Sequence, residues 1–262
     1  MGRPGRPIVL LTDFGWKDHY VGVVKGVILT SHPDARIIDL SHDIDPQDIA
    51  SAHILLKNAY PYFPRKTVFV AVVDPGVGTE RKIIGVETPD YTFLAPDNGL
   101  LGFLGTDEPV RRIVEITRKR YFRNPVSNTF HGRDIFAPVA ASLSQGTPLR
   151  EMGPSRKDMV RLLAPGPRIR QGEIEGRVIS IDRFGNLVTD IPEKALPRGK
   201  ELTISVGKSR IRGLSRTYGS KKRTLALIGS DGMLEISVNR GNAAEKLAVS
   251  VGTPVRVREK KI

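Results

Sequence analysis

Thr67–Val73 reads TVFVAVV, a run with no charged side chain and a majority of β-branched residues. A strand of that composition has no face to offer water, so it belongs in a sheet covered on both sides. The flanking sequence supplies the covering layers. Ile8–Leu11 reads as another buried strand, and Asp18–Thr30 places Val21, Val24 and Ile28 on one helical stripe. Arg36–Leu40 is a short strand. After Asp45-Pro46, residues Ile49, Ala52, Leu55 and Leu56 recur at helical spacing, with Pro46 where the first turn of a helix tolerates proline. Ile83–Glu87 and Tyr91–Leu94 read as strands, and Arg133–Leu143 as a helix stopped near Gly146. This alternation predicts a three-layer α/β domain with a mostly parallel sheet over residues 1–155.

The pattern then changes. Residues 156–171, which include Pro165-Gly166-Pro167, read as a linker. Beyond it come short strand-like stretches with turns between them: Ile174–Ile181, Leu187–Ile191, Leu202–Val206, Leu225–Ile228, Leu234–Val238 and Pro254–Val257. Their spacing predicts a smaller all-β, barrel-like domain over 172–262, interrupted by a short helix at Ala243–Ala248.

Composition removes several chemistries. The 262 residues include no cysteine, which excludes disulfides, Cys-ligated zinc, iron–sulfur clusters and thiol nucleophiles. No apolar run approaches the roughly 18 residues of a membrane span, and too few apolar residues follow the basic N-terminus for a secretory signal, so a cytoplasmic protein is expected. The formal charge of +13 is uneven. Residues 1–155 hold 18 Lys/Arg against 17 Asp/Glu, and residues 156–262 hold 23 against 11. Clustered cations neutralise phosphates, and Lys221-Lys222-Arg223 forms a basic run after Gly219-Ser220. No aromatic ladder accompanies them and aromatics are only 6% of the chain, so the basic half reads as a solvated surface and a nucleic-acid partner is not expected.

Common motifs fail on spacing. Gly207-Lys208-Ser209 lacks the earlier glycine of a phosphate loop, Gly76-x-Gly78 lacks the third glycine of a dinucleotide fingerprint, and Asp13-Phe14-Gly15 has no glycine-rich loop before it. His42, Asp43, Asp45 and Asp48 have no conventional metal spacing, and acidic residues ahead of a helix act as caps, so no metal is expected. Three polar clusters lie where ligands of open α/β sheets bind, at strand ends: Leu11–Asp18, Val73–Arg81 and Asn128–Asp134. Singly, each has a plain structural explanation as a turn, a cap or a buried histidine. Together they mark a site.

The strings TDFG-x-x-D-x-Y, SHDI-x-PQDI, VDPGVGT-x-R, APDNG, FHGRD, D-x-FGN and NRGNAA, in this order from Ile8 to Val257, resemble the S-adenosylmethionine (SAM) hydroxide adenosyltransferases. These are adenosine-forming SAM hydrolases related to the SAM-dependent fluorinase and chlorinase. The resemblance implies attack of water or hydroxide on the ribose C5′ of SAM, releasing methionine and adenosine. It places a nucleophile-holding triad on Asp74, Arg81 and His131 and a ribose-binding carboxylate on Asp13. Further substrate contacts fall on Asp18, Tyr20, Asp182, Asn186, Ser230, Glu235, Asn242 and Ala243. It implies no cofactor, SAM being the substrate, and a homotrimer with each site formed at a subunit interface. The alternatives are a SAM-dependent halogenase, or a protein that binds SAM, adenosine or a polyanion without turnover.

Chemistry restricts the implied roles. Deprotonating bulk water at pH 7 costs about 12 kcal/mol, which an ordinary aspartate with a pKa of about 4 cannot supply. Asp74 is therefore expected to orient a water, accept its proton late or balance the sulfonium charge, with Arg81 and His131 holding a hydroxide-like nucleophile electrostatically. The leaving group is a neutral thioether and needs no acid. Where this chain has Asp74 the halogenases carry an aromatic or small residue. A carboxylate there repels a halide, which favours hydrolysis.

Overall fold

A computed structural model describes residues 5–106, 108–162, 166–170, 172–219 and 223–259. Pro165 of the linker stretch, and Lys221 and Lys222 of the basic run with Ser220 before them, lie outside the described residues. The chain divides into two compact units, Met1–Leu163 and Ala164–Ile262.

The first unit runs β1 (Ile8–Thr12), α1 (Tyr20–Ser31), β2 (Ile37–Ser41), α2 (Ile49–Ala59), β3 (Val68–Val72), β4 (Ile83–Glu87), β5 (Thr92–Pro96), β6 (Arg112–Glu115), α3 (Ala137–Ser144) and β7 (Ser155–Arg156). Its sheet has the order β2-β1-β3-β5-β4-β6-β7. Strands β2, β1, β3 and β5 are mutually parallel, while β4 and β7 run against their neighbours. The two-sided burial expected of the central strands is realised residue by residue. Ile8, Leu10, Val68, Val70 and Val72 pack with Val24 and Ile28 of α1 and with α3. Val9, Leu11, Phe69, Ala71 and Val73 point the other way and pack with Ala52 and Leu56 of α2.

Local chemistry moves two helix starts. Pro46 lies outside α2: it occupies the second position of a turn in which Gln47 has φ 67° and the Asp48 N–H donates to the Asp45 carbonyl at 3.0 Å. Asp48 then caps α2, accepting the Ser51 N–H at 2.9 Å. The helix expected from Arg133 begins as a π-turn, Gly132–Phe136, and becomes α-helical at Ala137. Pro138 has no N–H for the Asp134 carbonyl, which instead accepts the Arg123 N–H at 2.9 Å.

The second unit contains β8 (Arg168–Arg170), β9 (Glu173–Ile181), β10 (Leu187–Pro192), β11 (Leu202–Val206), β12 (Ser209–Arg212), β13 (Thr224–Ile228), β14 (Met233–Val238), α4 (Ala243–Leu247) and β15 (Pro254–Glu259). Its antiparallel order is β12-β11-β15-β9-β10-β14-β13, with β8 on the free side of β9. The end strands β12 and β13 touch, so the sheet nearly closes into a barrel. Ile174, Ile204, Ile211, Ile236, Val255 and Val257 fill its interior. Strand β8 and the end of β7 fall inside the stretch that reads as a linker. Among the described residues no helix is long and apolar enough to cross a membrane.

Candidate active site

The chain enters β2 on one side of β1 and β3 on the other, so β1 and β3 flank the switch point of the sheet. Thr12 and Val72 are paired in register at their carboxyl ends. Asp13 follows the first strand directly and Asp74 follows the second by two residues, so the topology sets these two carboxylates beside one cleft. The cleft has a volume of about 550 Å³ and is lined by Asp13, Tyr20, Asp74 and His131 together with Phe14 and Phe130.

Beyond β3, the Val77 N–H donates to the Asp74 carbonyl and the Thr79 N–H to the Gly76 carbonyl. The Asp74–Gly78 segment is therefore the turn its sequence suggests, and it carries Arg81 back to Asp74. The turn packs tightly on the segment leading to His131: a Cβ on Gly78, whose φ is 78°, would lie 2.1 Å from the Asn128 carbonyl oxygen. Arg81 Nε donates to both Asp74 carboxylate oxygens, at 2.8 and 2.9 Å, and its Nη2 bonds Asp74 Oδ2 as well. The same Nη2 lies 2.7 Å from His131 Nδ1. Both charged partners are largely buried, with side-chain exposures of 12% for Arg81 and 6% for Asp74.

A guanidinium can only donate, so His131 Nδ1 is the acceptor and a neutral ring carries its proton on Nε2. The electrostatics agree. Burial, and then the Arg81 charge, hold the His131 imidazole below its ordinary pKa, against the opposing pull of Asp74 and Asp134. A neutral ring with Nδ1 occupied presents a donor and cannot act as a base through Nε2 without breaking the Arg81 contact. The segment that carries His131 is itself pinned by buried Asp134, which accepts from Arg133 Nε at 2.7 Å, Arg133 Nη2 at 2.8 Å and the Ser127 N–H at 2.9 Å. Arg133 foremost holds that carboxyl below the usual range, against the effect of burial.

Asp13 accepts the Gln47 N–H at 2.8 Å through one oxygen. Tyr20 opens α1 and meets Phe130 edge-on with centroids 5.1 Å apart. Phe14 meets Phe130 in the same manner at 6.1 Å, which gives the cleft an apolar wall. Asp18 is exposed and does not line the cleft. Gln47 and the two phenylalanines line the cleft, and the sequence does not single them out. The signal for Gln47 was the Asp45-Pro46 pair, which marks a turn as well as a helix start. His42, one of the weighed metal candidates, is buried, with Nδ1 2.7 Å from Thr12 Oγ1 and Nε2 2.9 Å from Asp39.

The remaining candidates belong to the second unit, and most of them meet there. Asp182 accepts the Phe184 and Asn186 N–H groups at 2.9 and 2.8 Å and the Asn186 side-chain amide at 2.8 Å. The Gly185 carbonyl in that turn accepts the Ala243 and Ala244 N–H groups, and Asn242 caps α4 through the Glu245 N–H at 3.0 Å. Asp182, Asn186, Asn242 and Ala243 thus form one cluster. Glu235 is buried, accepts from Ser237 at 2.6 Å, and also takes the Tyr218 hydroxyl. Burial first, and then that carboxylate, push the Tyr218 pKa up to about 12. Ser230 is exposed in the turn between β13 and β14.

Comparison with known proteins accords with this layout. The description "SAM hydroxide adenosyltransferase N-terminal domain" matches residues 8–153, and "SAM hydroxide adenosyltransferase C-terminal domain" matches 176–256. The chain belongs to the SAM hydroxide adenosyltransferase family. A family member from Thermus thermophilus, named (R)-S-adenosyl-L-methionine hydrolase, is 40% identical over 96% of this chain and 99% of its own length. One of the same name from Methanocaldococcus jannaschii is 37% identical over 92% of each chain. A fluorinase from an Actinoplanes species is 28% identical over 73% of this chain and 74% of its own. The crystal structure of a conserved protein from Thermotoga maritima superposes with a TM-score of 0.90 at 38% identity, covering 96% of this chain and 99% of that one.

Proposed function

We propose that this family member hydrolyses SAM, in the R configuration at sulfur for which its hydrolase relatives are named, to adenosine and L-methionine. Asp74, Arg81 and His131 hold the attacking water. Its oxygen forms the new bond to the ribose C5′, the C5′–sulfur bond breaks, and both electrons of that bond leave with sulfur as a neutral thioether. One water proton passes to solvent by way of Asp74.

The contact of Asp74, Arg81 and His131 beside the Asp13 cleft supports this reading. Arg81 fixes the Asp74 side chain from one side, and a carboxylate held so retains lone pairs for a water proton. His131 Nε2–H is a donor for the same water. The arrangement supplies alignment rather than strong basicity, and alignment alone can be worth roughly 7–11 kcal/mol. Asp13 has acceptor capacity left on both oxygens for the ribose hydroxyls, and Tyr20 lies at the cleft wall. Asp18 and the second-unit residues Asp182, Asn186, Ser230, Glu235, Asn242 and Ala243 complete the contacts to adenine and methionine. We place these sites at the subunit interfaces of a homotrimer.

Incubation with the separated sulfur epimers of SAM in chloride buffer tests the reading. Adenosine and methionine in equal amounts are expected, with the R epimer consumed faster. Formation of 5′-chloro-5′-deoxyadenosine instead would overturn it. Asp74→Ala and His131→Ala are expected to bind SAM with near-native affinity by calorimetry while losing about a hundredfold or more in kcat. Equal loss of affinity and turnover would remove them from the chemistry.

A further inference from the structure

The string APDNG, Ala95–Gly99, belongs to the family likeness, yet none of its residues lines the cleft. The sheet topology gives it a task. Strand β5 lies between β3 and β4, parallel to the first and antiparallel to the second. The carboxyl ends of β3 and β5 and the amino end of β4 therefore share one edge of the sheet. The loop from Val73 to Lys82, which carries Asp74 and Arg81, does not join neighbouring strands. It has to arch over the end of β5, where Asp97 and Asn98 emerge.

Those two residues hold both feet of the arch. At the β4 foot the Asp97 N–H donates to the carbonyl of Lys82, the residue after Arg81, at 2.9 Å. At the β3 foot the register with β5 ends at Val70 and Leu94, short of Val73. There the Asn98 side chain takes over: its Nδ2 donates to the Val73 carbonyl at 2.8 Å, on the peptide that leads into Asp74. The orientation of that amide follows from its other partner. The Leu100 N–H can only donate, so the atom 3.2 Å from it is Oδ1, and Nδ2 is left for Val73. The segment beneath is anchored as well. The Asp97 carboxylate, with its side chain 6% exposed, accepts the Val160 N–H at 2.8 Å and has the Arg156 guanidinium 3.9 Å away.

We propose that Asn98 is a positioning residue for the hydrolysis, its Nδ2–H bond to the Val73 carbonyl setting the arch so that Asp74 and Arg81 meet the attacking water in line. The proposal rests on the hydrolase reading. Asn98 acts through Asp74 and Arg81 and touches no reacting atom. Without its amide the ion pair survives, because each partner still holds the other, but the pair shifts with the arch and away from His131. A misplacement of about 1 Å can cost about a hundredfold in rate. Substrate affinity, which rests on Asp13 and the other contacts, is unaffected.

The test is steady-state kinetics of Asn98→Ala and Asn98→Asp at pH 8. The aspartate keeps an acceptor for the Leu100 N–H and puts an ionised oxygen where the donor was. Both variants are expected to lose about ten- to a hundredfold in kcat, with KM for SAM within about twofold of wild type. The NMR titration midpoint of His131 is expected to rise in Asn98→Ala, because Arg81 recedes from Nδ1. Tyr91→Phe removes a different single hydrogen bond from the same unit, the hydroxyl's bond to the Phe63 carbonyl at 3.1 Å. It is expected to lower Tm by about 2–4 °C, as Asn98→Ala does, with kcat and the His131 midpoint unchanged. Wild-type kcat in either Asn98 variant overturns the proposal. So does an equal loss of kcat in Tyr91→Phe, which would tie the rate to stability. A loss of kcat in Asn98→Ala with the His131 midpoint unmoved overturns it too. Wild-type protein that leaves SAM intact removes the hydrolase reading instead, and the His131 midpoint, which needs no substrate, still decides whether Asn98 holds the arch.

Discussion

His131 combines a buried ring, a guanidinium on Nδ1 and a lowered pKa, which makes its protonation state a measurable consequence of the triad. Its NMR titration midpoint is expected below the ordinary value of about 6.5. Arg81→Met is expected to raise the midpoint, because a repelling charge is removed. A midpoint at or above 6.5 in the wild-type protein contradicts the neutral-ring arrangement. The sign for stability follows. Between the lowered folded value and about 6.5 the unfolded chain binds more protons than the folded one, so this group's contribution is complete above that window and is lost as pH falls through it. A second residue-scale prediction concerns the support of Asp13. Thr12 Oγ1 accepts the Phe14 N–H at 3.2 Å and meets His42 Nδ1, while the His42 carbonyl accepts the Gly15 N–H at 2.8 Å. Asp39 joins His42 to Lys25, and although burial raises its pKa, hydrogen bonds from Lys25 and His42 more than offset this. The loop that carries Asp13 is thus tied to a buried network. Thr12→Val keeps the shape but removes the hydroxyl, and is expected to cost about 1–2 kcal/mol in urea unfolding. KM for SAM should rise several-fold with kcat little changed; a fall in kcat at constant KM would instead tie Thr12 to the chemistry.

At the scale of elements, the turn that joins Asp182 to α4 depends on one missing side chain. Gly185 has φ 81°, and a Cβ there would sit 2.0 Å from Asn242 Oδ1. Gly185→Ala therefore meets backbone strain of about 1–3 kcal/mol and also displaces the α4 cap, worth about 1 kcal/mol. Thermal unfolding should move to lower temperature, and SAM affinity should fall because Asn186 and Asn242 move with the turn. Unchanged melting and affinity would show that the two segments are not packed as described. How legible such features are in sequence follows from burial. Strands β1 and β3 are plain in the sequence because both faces are apolar. β8 has no buried residue and β12 has only Ile211, so neither carries an alternation to read. The π-turn was equally hidden: the sequence shows Pro138 near a helix start, but not that the freed Asp134 carbonyl would be claimed by Arg123 from another segment. The site divides similarly. Polar clusters at strand ends announced a site, family likeness singled out Asp74, Arg81 and His131, and only the fold shows Gln47 offering its N–H to Asp13.

Across the whole molecule, the candidate residues are shared between two units of different architecture and charge. Asp13, Tyr20, Asp74, Arg81 and His131 sit in the first, and Asp182, Asn186, Asn242 and Ala243 in the second. The trimeric arrangement proposed above turns this division into a test that needs no knowledge of how the two units are placed within one chain. Size-exclusion chromatography with light scattering should return three times 28.9 kDa. Asp74→Ala disables the contribution of the first unit and Asn242→Ala that of the second, so each homotrimer should be inactive or nearly so. Co-expressed and purified as mixed trimers, the two variants restore intact sites wherever an Asn242→Ala subunit lends its native Asp74 to a neighbour that carries native Asn242. Recovered turnover of roughly a quarter of wild type is the statistical expectation for random mixing of residues lent between neighbours. Sites built wholly within one chain give no recovery at any mixing ratio, because every subunit then carries one disabling change. A trimer without complementation would thus leave the reaction assigned to this chain in place while removing the shared site.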